Sequence, residues 1–229
     1  MSAAEGRAVL EFQLIEVGSG GRASCARCGA SPEAATYLPT EEVIDCIRRA
    51  VLEYRPPGPN IRFGGADAFG HPELPVLVSA AVQEGVVRIG LETDGSALAA
   101  GDNAAGALHA GVRHIHVSHV DAAGALAGIA AWTQAVRAAG VDAVATATVP
   151  VCVHNVAELA KAVAAMAEAG VAGITVDARS VSVSAEVTAY VVAACDTGTV
   201  NSVWVEVLGP SDMLPESHSL HRGETGDSR

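Results

Sequence analysis

One dipeptide recurs at nearly even spacing and constrains the fold more than any other feature of the chain. Gly85-Val86, Gly111-Val112, Gly140-Val141 and Gly170-Val171 each end an Ala-rich, helix-like stretch. Each is followed by a run rich in β-branched residues, at 88–93, 114–120, 143–150 and 173–178. Glycine closes a helix in the left-handed conformation at little cost, and a strand can begin at once. A repeat of about 30 residues is the length of one βα unit. Units of that kind joined by right-handed crossovers make a parallel sheet with helices on its outer side.

The rest of the chain fits the same scheme. Residues 8–17 read as a first strand. Thr40 can cap a helix running to about residue 54, with Glu41 and Glu42 in its first turn, where the helix dipole favours carboxylates. Arg55-Pro56-Pro57-Gly58-Pro59 breaks it. Residues 60–64 read as a second strand, 72–84 as its helix and 203–208 as a seventh strand. The expectation is an α/β fold in one domain, residues 1–209: a partial parallel (β/α)6-type barrel, TIM-barrel-like. Its six or seven strands fall short of the eight that close a full barrel. Residues 210–229, polar and rich in Ser, Glu and His, are expected to form a disordered tail.

Composition narrows the function. Half of the 229 residues are apolar but only 3% are aromatic, so the core must be built from Ala, Val, Leu and Ile. The net charge of −12 repels phosphate backbones and anionic lipid, which argues against nucleic-acid and membrane partners. No apolar run reaches the roughly 20 residues of a membrane span. Residues 1–7 lack a basic start and a continuous apolar stretch, so a cytoplasmic location is expected. Lys161, the only lysine, falls in a helix, away from the barrel interior that a Schiff-base mechanism requires. Neither a P-loop nor a Rossmann glycine fingerprint is present. Gly18-Ser19-Gly20-Gly21 is a flexible glycine loop that could cradle a phosphate.

In a βα barrel the reactive groups gather at the C-terminal ends of the strands. Strand side chains alternate, so His114, His116 and Ser118 share one face. Facing inward, they line the lumen with Arg62, Glu92 and Asp177, either around a small molecule in the barrel mouth or as a structural network of buried polar groups. His71-Pro72-Glu73 reads as a structural helix start, and His109 as a cation late in a helix. Of the five cysteines, Cys46 and Cys195 lie in apolar stripes and read as core residues. Cys25, Cys28 and Cys152 remain as candidates for chemistry. A thioredoxin-like pair at Cys25 and Cys28 would want a helix starting at the first Cys, and Gly29 to Pro32 offers none. Cys25, Cys28, Cys152 and His154 would suit a tetrahedral zinc ion.

A Cys-rich loop after strand 1, followed by a Gly-Gly turn after strand 2, resembles the radical S-adenosylmethionine (SAM) superfamily. The residues that carry the resemblance are the run Ile61 to Leu74, which contains Gly64-Gly65, the run Ile89 to Gly95 with its Thr93-Asp94-Gly95 end, and His116-Val117-Ser118. Further similarity runs through Ala127-Gly128-Ile129 and from Val149 to Leu159. The resemblance implies a SAM site framed by Gly64, Gly65, Asp67 and Ser118, and a four-iron cluster held at Cys25 and Cys28. It also shows departures. Gly21 stands where the first cluster cysteine belongs, Arg27 where an aromatic is common, and Ala66 where a turn carboxylate belongs, with Asp67 next to it. A loop of two thiolates holds a cluster poorly unless another ligand joins, with Cys152, His154 or His119 in reach. The family reading therefore carries alternatives. One is an active enzyme that binds SAM and a cluster. Another is a catalytically inactive homologue that partners an active enzyme or another protein, or binds a small molecule. The third is the zinc-binding barrel.

Overall fold

The structure is a computed structural model and describes residues 12–20, 34–54, 58–118, 123–210 and 213–214. The first described element is β1 (Gln13–Glu16), followed by a short antiparallel pair, β2 (Gly18–Ser19) and β3 (Thr36–Tyr37), then α1 (Thr40–Glu53). Regular alternation follows: β4 (Asn60–Gly64), α2 (Leu74–Gln83), β5 (Arg88–Thr93), α3 (Asn103–Ala110), β6 (Val112–Ser118) and α4 (Ala123–Ala139). Then come β7 (Val144–Pro150), α5 (Leu159–Ala169), β8 (Gly173–Asp177), α6 (Ala185–Val200) and β9 (Trp204–Leu208). Seven strands form one parallel sheet in the order β1-β4-β5-β6-β7-β8-β9, so sheet order follows chain order. This is the α/β, TIM-barrel-like architecture expected from the repeat.

The repeat works as its chemistry requires. Gly85, Gly111, Gly140 and Gly170 all have positive φ, at 85°, 110°, 63° and 98°. At the ends of α3 and α5 the glycine N–H bonds back into the last turn. Val112 and Val171, which follow two of these glycines, are buried.

Period-two alternation divides the sheet into two faces. One face is packed by helices. It carries Ile61 and Phe63 on β4, Ile89 and Leu91 on β5, Ile115 and Val117 on β6, and Ile174 and Val176 on β8, all buried. Against them lie Val43 and Ile47 of α1, Leu77 of α2, Ile129 and Trp132 of α4, Val163 and Met166 of α5, and Val191 of α6. Each large apolar side chain buried this way contributes about 1.5–3 kcal/mol. Small residues let the helices approach closely. A Cβ on Gly128 of α4 would collide with the carbonyl oxygen of Gly95 in the turn after β5.

Some boundaries differ from expectation. The first strand is described from Gln13, with Phe12 outside it; residues 8–11 of the expected strand lie outside the described residues. The second helix begins at Leu74 because residues 68–70 first form a 3-10 turn capped by Asp67. β6 begins at Val112, two residues earlier than the alternation suggested, and is described to Ser118; residues 119–120 of the expected strand lie outside the described residues. His71 has the structural part expected of it: it is buried, its Nε2 lies 3.1 Å from the Leu38 carbonyl, and its Nδ1 accepts from the Glu73 N–H at 3.1 Å. The expected tail, 210–229, falls almost wholly outside the described residues; of it, Pro210, Met213 and Leu214 are described, Pro210 exposed and the other two buried.

Candidate functional site

The other face of the sheet is polar, and strand register arranges it in rows. The lowest row is Leu14, Arg62, Gly90, His114 and Val144. Above it run Glu92, His116, Thr146, Gly173 and Trp204. Next come Ser118, Thr148, Thr175 and Glu206, and then Pro150, Asp177 and Leu208 at the C-terminal rim. His114 is buried, whereas His116, Ser118, Thr148 and Thr175 are half-buried. The inward set read from alternation, Arg62, Glu92, His114, His116, Ser118 and Asp177, does share this face.

Two histidines and two threonines make its most ordered part. His114 Nε2 lies 2.8 Å from Thr146 Oγ1, and His116 Nδ1 lies 2.9 Å from the same oxygen. His116 Nε2 lies 2.9 Å from Thr148 Oγ1. The His114 ring stacks on Phe12, with centroids 4.5 Å apart. It lies over Gly90, where a Cβ would come within 2.9 Å of His114 Nδ1. Burial, aided by the Arg62 and Arg88 guanidiniums, pushes the His114 pKa down to about 3. The ring is therefore neutral at physiological pH.

The strand-end residues singled out in the sequence are shaped by local packing. A Cβ on Gly64 would strike Glu92 Oε2 and crowd Leu14, and at Gly65, with φ +88°, a Cβ would strike the Gly18 carbonyl oxygen. Ala66 is buried, with 1% exposure, so that position faces the core. Asp67 accepts from the Phe69 N–H at 2.9 Å through one oxygen. The other oxygen accepts from the Thr93 hydroxyl at 2.9 Å and the Asp94 N–H at 3.1 Å. Its pKa is raised by burial, which these hydrogen bonds partly offset. Asp94 in turn accepts from the N–H and hydroxyl of Ser96. Ser118 ends β6, beside Thr148.

At the end of β7, Asn155 accepts from the Cys152 N–H at 2.8 Å and donates to the Pro150 carbonyl at 2.7 Å. That turn leads into α5, with Cys152 half-buried and His154 exposed. Asp177 is held below the usual carboxylate range by a two-pronged ion pair with Arg179, at 2.8 and 2.6 Å. Cys195 is buried in the core as expected and its thiol is pushed up to about 12 by burial. Cys46 packs at the edge of the core. Cys25, Cys28, Gly21, Arg27 and His119 lie outside the described residues. Among the described residues, no group of three or more His, Cys, Asp and Glu is placed to hold a metal ion.

No family model matches the chain. No curated protein matches it either. Among solved structures it is similar to a protein assigned as a phosphonomutase from Burkholderia cenocepacia J2315, with a TM-score of 0.48 and 17% identity. The match covers 72% of this chain and 73% of that one. A likeness of that size transfers no activity.

The radical SAM resemblance is corrected by these findings: no model of any family is matched, and the similar structure is of a different assignment. The SAM-dependent and iron–sulfur readings, the inactive-homologue reading and the zinc-barrel reading go with it. The physical reason lies in the residues that suggested it. Gly64-Gly65 is demanded by Glu92 and Gly18. Gly95, with φ +87°, packs against Ala125. These are requirements of tight βα turns, and any parallel barrel can meet them with the same residue types.

Thr146, Thr148, Phe12 and Gly90 were not among the residues singled out by the sequence. A signal existed for the threonines: they are polar at alternate positions in a strand whose other positions, Ala145, Ala147 and Val149, are apolar.

Proposed function

We propose that the polar face of the sheet binds a small polar molecule at the C-terminal ends of β6, β7 and β8. His116, Ser118 and Thr148 contact it in this reading, and the buried Glu92 and the Asp177–Arg179 pair shape the site around them. One observation carries the reading. Opposite a face packed largely with apolar side chains, this face presents half-buried His, Ser and Thr side chains in register at the barrel end where ligands sit. A purely structural network would be buried throughout, whereas His116, Ser118 and Thr148 are half-buried.

The same reading places the protein in the cytoplasm. It is supported by the free thiols of Cys46 and Cys195, which suit a reducing compartment. No helix among the described residues is long and apolar enough to cross a membrane.

The test is a ligand screen by NMR against small carboxylates, phosphate esters, polyols and amines, with His116→Ala as the comparison. The reading expects one class to shift the resonances of His116, Ser118 and Thr148, and the shifts to be lost in the variant. If no class perturbs that face, or the variant binds as the wild type does, the reading is wrong.

A further inference from the structure

The histidine and threonine side chains of β6 and β7 form a chain of hydrogen bonds whose direction can be read from one atom. His114 Nδ1 is fully buried and has no hydrogen-bond partner among the described residues. A neutral imidazole carries one N–H and one bare lone pair. Orphaned buried N–H groups are rare, whereas under-satisfied acceptors are better tolerated. The His114 proton therefore belongs on Nε2, which donates to Thr146 Oγ1 at 2.8 Å. Thr146 has a single hydroxyl proton, and its remaining neighbour in the chain is His116 Nδ1 at 2.9 Å. That nitrogen then accepts, which puts the His116 proton on Nε2. From there it is donated to Thr148 Oγ1, 2.9 Å away. Each link fixes the next, and the hydroxyl proton of Thr148 is left over at the open end.

We propose that this chain runs one way, from His114 through Thr146 and His116 to Thr148, and presents the Thr148 hydroxyl as a fixed donor to an acceptor oxygen of the bound molecule. A carbonyl, carboxylate or phosphoryl oxygen has the matching chemistry; an ammonium group does not. The ligand half of this proposal rests on the small-molecule reading above, whereas the direction of the chain does not. His114 is the anchor because its surroundings hold it neutral. Phe12 covers one side of the ring and Gly90 leaves room for it. Arg62 on β4 and Arg88 on β5 oppose a second proton, and Glu92 and His116 lie in the row above. Doubly protonated, His114 would have to bury an N–H without a partner. His114 is thus a positioning residue, three hydrogen bonds removed from the hydroxyl it orients.

The experiment is a long-range proton–nitrogen correlation spectrum of the full chain with labelled histidine, at neutral pH. The wild type is expected to show His114 and His116 protonated on Nε2, with both Nδ1 signals in the range of an unprotonated nitrogen. Thr146→Val should remove the donor to His116 Nδ1 and leave that ring a mixture of tautomers, while Thr146→Ser restores the single form. His116 protonated on Nδ1, or unchanged in Thr146→Val, would overturn the direction. Acetate, inorganic phosphate and methylammonium are then titrated in turn. The two anions should shift Thr148 and methylammonium should not. A response to methylammonium alone overturns the donor assignment. The expected tautomers with no response to any of the three overturn the binding reading and leave the direction of the chain standing.

Discussion

At the residue scale, His114 makes stability depend on pH in a defined window. Its pKa is about 3 in the folded protein, against an ordinary value of 6.5. Between those values the unfolded chain binds the proton and the folded chain does not, so stability rises with pH. The contribution is complete above about pH 6.5. It is lost as pH falls toward 3, at up to about 1.4 kcal/mol per pH unit. Asp67, whose carboxyl is raised by burial, works in the opposite direction. The informative measurement is therefore a difference. Urea unfolding of wild type and His114→Gln is expected to show the wild type losing more stability between pH 6.5 and 4.5. Parallel losses would place His114 in contact with water. The sequence showed that His114, His116 and Ser118 share a face, because that follows from alternation within one strand. It did not show Thr146 between the two rings, because the contact depends on the register of β6 against β7. Register joins residues about thirty positions apart and leaves no local mark.

At the element scale, two helical glycines should respond in opposite ways to the same change. Gly106 lies within α3, and a Cβ there would meet nothing within 4 Å. Gly106→Ala is expected to stabilise by about 0.5–1 kcal/mol, as removal of glycine from a helix interior does. Gly128 of α4 meets the Gly95 carbonyl, so Gly128→Ala should destabilise by about 1–3 kcal/mol through overpacking. Urea midpoints with an unchanged slope would check both. Equal shifts would show that α4 does not pack tightly on the turn after β5. Elements were the most legible level. Four glycines marked four helix ends because the left-handed conformation is a local demand. The β2–β3 pair was missed because two residues carry no periodic signal. The 3-10 turn before α2 was missed because its cap, Asp67, was read as a ligand-facing carboxylate.

At the scale of the whole molecule, the sheet has edges. β1 and β9 each have one hydrogen-bonded neighbour among the described strands, whereas β5, β6 and β7 have two. Hydrogen exchange should therefore be slowest in β5 to β7 and faster in β1 and β9. Uniform protection across all seven would mean that the two end strands are covered or paired. The polar face shares this openness, with Leu14 on β1 and Trp204 on β9 exposed at 44% and 49%. The fold was legible at this scale because one repeated unit builds it. What occupies the polar face was not, since the turn residues that suggested a family answer to packing alone.

Because sheet order follows chain order, the protein can be assembled while it is being made. Each strand of the seven-stranded sheet needs only the preceding strand of that sheet as a template, already synthesised when it emerges. A growing chain that has released β4, β5 and β6 from the ribosome already holds three strands that neighbour one another in the finished sheet. The ladder of histidines and threonines, which needs only β6 and β7, could form before α6 and β9 are translated. A late stop codon would then trim the far edge of the sheet and leave the heart of the polar face in place.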